Sequence, residues 1–153
     1  MQDVKGIGEE GKTLKRMIQE GDRLYGETGC YHGITDPSLL HDDPVKLELF
    51  HSRMMAALIS GRETTRMISG SPFVREVAEL CIGLFTPEGD NITQSTGIQV
   101  HIRCMGENIK WMINNDWESE VGIDDGDMFI CNESVMGSMH PAAVAKGVVL
   151  DHA

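Results

Sequence analysis

Asp43-Pro44 and Ser69-Gly70-Ser71-Pro72 bracket a run in which Phe50, Met54, Ala57, Leu58, Gly61, Thr65 and Ile68 recur at steps of three and four. An aspartate N-cap accepts one of the first unpaired N–H groups, and proline at the next position is preset for the first helical turn. The Gly-Ser-Pro cluster stops the run. At 1.5 Å per residue the helix is about 39 Å long. In a chain of 153 residues, one domain's length, such a helix carries more surface than the chain alone can cover.

The other segments read as parts of one continuous module, without repeats or low-complexity tracts. Glu9 to Tyr25 predicts a first helix, with Leu14, Met17, Ile18 and Leu24 near helical spacing and Gly26 as its stop. Glu27 to His41 predicts a surface loop. Glu76 to Phe85 is apolar at both parities and predicts a strand buried on both sides. Thr86-Pro-Glu-Gly-Asp90 is a turn, and Asn91 to Ile102 returns as a second strand of a hairpin. Met105, Ile109, Met112 and Ile113 lie on one face of a following helix, with Trp111 to the side and Asn115-Asp116 at its end. After an acidic loop, Asp127 to Cys131 predicts a short strand. The expected fold class is mixed α/β of the α+β kind: N-terminal helices, one long helix, a β-hairpin, a helix and a strand.

Several function classes are excluded by charge and pattern. The formal net charge of -11 opposes nucleic acid and anionic membrane surfaces, which are met by clustered Lys and Arg. No window approaches the roughly 18 uninterrupted apolar residues of a membrane span. The first residues lack the basic-then-apolar pattern of a secretion signal, so the cytoplasm is the expected compartment. Cys30, Cys81, Cys104 and Cys131 are far apart, and free, buried thiols are expected. Ten methionines, four of them at Met105, Met112, Met128 and Met139, suit adaptable packing.

Residues Gly6 to Thr13, GIGEEGKT, match the spacing of a phosphate loop. Such a loop follows a buried strand, whereas Met1 to Lys5 is short and polar, and Glu9 and Glu10 would repel phosphate. The expectation is a flexible lead-in to a helix. His101 follows the apolar end of a predicted strand, where α/β sites gather, and it also suits a packed junction. His140 precedes Pro141, and Asn132 and Glu133 directly follow the last predicted strand, so their oxygens suit a hard cation. Together His101, Glu133 and His140 form a thin ligand set. Asp124, Asp125 and Asp127 read as a solvated turn, and no serine elbow is present.

Three segments carry a specific resemblance. GKTLKRMIQEGDRLYGETGCYHGI, ITQSTGIQVHIRCMGENIKWMINNDWES and DGDMFICNESVMGSMHP resemble, in order and spacing, the N-terminal part of the acetone carboxylase alpha subunits of the hydantoinase B/oxoprolinase family. The resemblance implies an ATP-dependent ligase complex that joins acetone and bicarbonate into acetoacetate. It further implies an actin-like, ATP-binding beta subunit, a zinc-containing gamma subunit, a hetero-oligomer, and Mn²⁺ in the alpha chain. On that basis His101 and Glu133 are the expected catalytic residues and His140 the expected metal ligand.

The sequence departs from the family in two respects. The alpha subunits are several times longer, so residues 1–153 are expected to be a module or fragment and inactive alone. The family continues its His-Pro motif with an aspartate and a histidine, at positions that are Ala143 and Ala145 here. The alternatives are a non-catalytic assembly module that docks through its long helix and Met-rich end, and a relative acting on a cyclic amide or aromatic ketone.

Overall fold

The structure is a computed structural model that describes residues 6–97, 100–124, 126–131 and 146–149. It divides into two units, one from Met1–Thr35, Thr86–Asp90 and Cys104–Ala153, the other from Asp36–Phe85 and Asn91–Arg103. The architecture is the expected mixture of helices and strands, and among the described residues the strands form two antiparallel pairs. Among the described residues no helix is long and apolar enough to cross a membrane.

In the first unit, helix α1 spans Leu14–Thr28. The Thr13 side chain accepts the Arg16 N–H at 3.3 Å, and Gly29, at φ 68°, closes the far end by donating to the Tyr25 carbonyl at 2.8 Å. The expected start at Glu9 is therefore corrected, since Glu9–Gly11 is a separate 3-10 turn kinked at Glu10. The expected stop at Gly26 is corrected too. A glycine inside a helix costs about 1 kcal/mol, whereas a left-handed glycine just past the end completes the cap.

Gly6–Thr13 is not the flexible lead-in expected of it. Gly6 donates to the Gly11 carbonyl at 2.9 Å, Gly8 to that of Lys12 at 2.9 Å, and Gly11 to that of Gly8 at 3.0 Å. The Glu118 carboxylate accepts the Ile7 and Leu14 N–H groups at 2.9 and 2.7 Å. The anion position at the start of α1 is thus filled by the chain's own side chain. A Cβ on Gly6 would lie 2.0 Å from the Lys12 carbonyl oxygen, which leaves no room for phosphate there.

In the second unit, the loop expected to His41 is corrected at its end, where the short helix α2 (Ser38–Asp42) leads into α3, Pro44–Ile68. The boundaries of the long helix match the expectation, with the Asp43 carboxylate accepting the Lys46 N–H at 2.9 Å. Its 25 residues bury only Leu58 and Arg62, so its expected apolar seam is largely open: Phe50 is 58% and Ile68 79% exposed. Helix α4, Pro72–Arg75, is one turn.

The doubly buried strand expected over Glu76 to Phe85 is corrected. Only Gly83–Phe85 forms a strand, β1, and none of its residues is buried. Ala78 sits at φ 59°, outside any strand geometry. The Arg62 guanidinium donates to the carbonyls of Ala78 and Leu80, both at 3.0 Å, replacing the sheet partner that these groups lack. Strand β2, Asn91–Gln94, pairs with β1 through a bulge beside Ile92. Ser95 continues the pairing, accepting the Ile82 N–H on its Oγ at 3.0 Å and donating its own N–H to the Ile82 carbonyl at 2.7 Å.

The expected second strand to Ile102 is also corrected, because helix α5 occupies Val100–Asn114. The stretch Val100-His101-Ile102 is the first turn of an amphipathic helix that buries Ile102, Ile109, Met112 and Ile113. The acidic loop contains a wide π-helical turn at Glu118–Gly122. Beyond it β3, Met128–Cys131, pairs with β4, Lys146–Val149. Trp111, Trp117 and Phe129 contact in series, with centroids 6.0 and 5.9 Å apart.

Candidate functional site

The first unit forms a cleft of about 190 Å³ lined by Ile18, Gly21, Asp22, Tyr25, Tyr31, His32, Glu88, Asp90 and Lys110. Helix α1 supplies one wall. The 3-10 turn Tyr31–Gly33 supplies the second, and His32, at φ 47°, is its left-handed residue. Gly21 permits this arrangement, since a Cβ there would stand 3.2 Å from the imidazole Cε1.

The turn Thr86–Asp90 supplies the acids. Thr86 donates its N–H to the Asp90 carbonyl at 2.8 Å, and Gly89, at φ 91°, presses against α5 so closely that a Cβ would meet the Gly106 oxygen at 2.9 Å. Asp90 takes Lys110 Nζ at 2.6 Å and the Tyr31 hydroxyl at 3.1 Å. Glu88 is buried, with His32 Nε2 3.7 Å from its Oε1. The Tyr31 and His32 rings meet edge to face at 4.4 Å. Partial burial pushes the Tyr31 phenol above its ordinary range, and the nearby Asp90 carboxylate adds to the effect. This arrangement brings a hydrogen-bonded carboxylate, a second carboxylate beside an imidazole, and a phenol to one concave surface, where proton exchange and recognition of hydrogen-bond donors are both chemically open.

None of the three site residues expected from sequence lies in this cleft's described lining. His101 is buried, 7% exposed, in the first turn of α5 and belongs to the other unit. Glu133 and His140 lie outside the described residues, as do Ala143 and Ala145. Asp124 and Asp127 do form a turn, with the Asp124 N–H donating to the Asp127 carboxylate at 2.9 Å. Among the described residues, no three His, Cys, Asp or Glu side chains are placed to hold a metal ion. Cys30, Cys81 and Cys104 are free thiols, half-buried rather than fully buried as expected.

Sequence reasoning passed over His32, Glu88 and Asn108. Two carboxylates in the tight turn Thr86-Pro-Glu-Gly-Asp90 were a signal for Glu88, but nothing in the spacing shows which imidazole faces them. Asn108, 2% exposed on α5, has neither amide atom hydrogen-bonded among the described residues. It stood unnoticed inside a clean helical period.

Comparison with known proteins extends the geometry. The chain is 38% identical over 144 residues to the acetone carboxylase alpha subunit of Xanthobacter autotrophicus, a match that takes in 92% of this chain and 18% of that one. It is 24% identical over 98 residues to 5-oxoprolinase 1 of Arabidopsis thaliana, covering 64% of this chain and 8% of the relative. The nucleotide-free structure of acetone carboxylase, solved for the mechanism of ATP-dependent acetone carboxylation, superposes with a TM-score of 0.84 at 37% identity, over 90% of this chain and 18% of that one. The chain thus spans less than a fifth of the length of the relatives it matches. The resemblance read from the three sequence segments holds, and with residues 43–146 matching its signature the chain belongs to the hydantoinase B/oxoprolinase family.

Proposed function

We propose that this chain serves in an ATP-dependent carboxylase complex that converts acetone and bicarbonate to acetoacetate. The observation that carries the reading is the 38% identity to an acetone carboxylase alpha subunit, spread over 92% of the chain. In this reading ATP is bound by an ATPase-like beta subunit, a zinc-containing gamma subunit completes a cytoplasmic hetero-oligomer, and His101 and Glu133 face the reacting groups. The Gly6–Thr13 loop takes no part in nucleotide binding, because the N–H groups of Gly6, Gly8 and Gly11 are committed to carbonyls and that of Ile7 to Glu118.

Manganese, implied for the family's alpha chains, does not fit the donors present here. His140 is followed by Ala143 and Ala145, which have no donor atoms, and the described residues offer no group of three ligands. With one imidazole in place of a ligand set, the isolated chain is inactive.

The test is ATP- and bicarbonate-dependent acetone consumption by the purified chain, alone and with beta and gamma subunits. Turnover only with the partners is the expected result. Turnover by the chain alone would overturn the inactivity, and failure to associate with either subunit would overturn the complex.

A second reading is a non-catalytic assembly module. It is favoured by α3, which leaves Val45, Phe50, Met67 and Ile68 more than half exposed. Co-purification with the partners in a form that lacks carboxylase activity distinguishes it from the first.

A further inference from the structure

The cleft in the first unit holds an imbalance of charge that its own residues do not correct. Asp90 is saturated, with Lys110 Nζ at 2.6 Å and the Tyr31 hydroxyl at 3.1 Å. Lys110 is therefore committed. Glu88, by contrast, has a side chain only 6% exposed, and among the described residues no hydrogen bond reaches its carboxylate. Its one charged neighbour is His32, at 3.7 Å. The Glu88 oxygens are not among the buried atoms left without a partner, so they open onto the cleft they line, where a donor-bearing cation can reach them.

Two further features select the kind of cation. Asp22, on the open side of the cleft, makes no ion pair among the described residues and adds a second negative charge. Tyr25 and Tyr31, 61% and 50% exposed, line the same space, and aromatic rings attract cations. The volume, about 190 Å³, is below the roughly 300 Å³ at which drug-sized pockets begin. A bare metal ion is disfavoured, since these side chains do not converge as a ligand group.

We propose that this cleft binds a small organic cation, a primary ammonium or an amidinium. Its N–H groups donate to the Glu88 carboxylate, its charge faces Asp22, and its carbon framework lies against Tyr25 and Tyr31. The site is independent of the carboxylase reading and borrows none of its residues.

The test is a titration of the purified chain with benzylammonium and benzamidinium, against benzyl alcohol and benzoate as neutral and anionic counterparts, followed by calorimetry and by the NMR signals of the His32 and Tyr31 rings. The expected result is saturable binding of the cations alone, with both rings perturbed. Glu88→Gln should weaken the affinity by about tenfold or more, as loss of a hydrogen bond to a charged group does. Asp22→Asn, at an exposed position, should weaken it by a few fold without touching the fold, which keeps the proposal testable if Glu88→Gln unfolds. Benzoate binding as well as the cations, absence of saturation, or unchanged affinity in Asp22→Asn would each overturn it.

Discussion

Arg62 shows how much one side chain decides. The residue is 9% exposed, and its guanidinium holds the carbonyls of Ala78 and Leu80 while pairing with Glu63 at 2.6 Å. Arg62→Met keeps the apolar stem and strips the donors, so it should cost about 2–3 kcal/mol in urea unfolding. A smaller loss than 1 kcal/mol would show the carbonyls finding water instead. Tyr31 gives a pH signature. Burial raises its folded pKa above the ordinary value of 10.0, so its contribution to stability is complete below that value and is lost as pH rises through the folded one. The denaturation midpoint of the wild type should therefore fall more between pH 9 and about 11 than that of Tyr31→Phe. Neither residue was legible in the sequence. Arg62 reads as one more charge on a helix, and Tyr31 as part of a loop, because the partners of both are set by tertiary approach rather than by period.

At the scale of elements, ends were legible and faces were not. Asp43, Pro44 and the Ser69-Gly70-Ser71-Pro72 stop marked α3 correctly, since caps are local chemistry. Asp43→Ala should cost about 1 kcal/mol, measurable as a lower melting temperature. The buried side of α3 is the line through Leu58, a member of the expected seam, and Arg62, which lies outside it. Periodicity alone does not show which part of an apolar seam is covered and which is left open. Phe50→Asp with Ile68→Asp should leave the stability of the isolated chain within about 0.5 kcal/mol. If α3 is a docking face, the same pair should abolish capture of the partner subunits; unchanged capture would remove the assembly reading. The hairpin was legible from its turn, Thr86–Asp90, whereas its strands were overread. EVAELCIGLF has a strand's composition, but Arg62 and Ser95 supply the hydrogen bonds that a neighbouring strand would have made.

For the whole molecule, the family was legible because its motifs hold their order along the chain, and the candidate cleft was not, because its residues come from three separated segments. The Glu118 carboxylate makes a comparable long connection, to Ile7 across 111 positions and to Leu14 across 104. Glu118→Ala should speed amide exchange at Ile7 and Leu14 selectively and leave α3 unchanged; uniform protection would contradict the assignment. Closing a loop of that length costs about 4 kcal/mol of chain entropy, which only a largely ordered chain can offset. Gly6–Thr13 thus acquires its seat only after Glu118 has been synthesised, so during translation this segment waits for a side chain made 111 positions after Ile7.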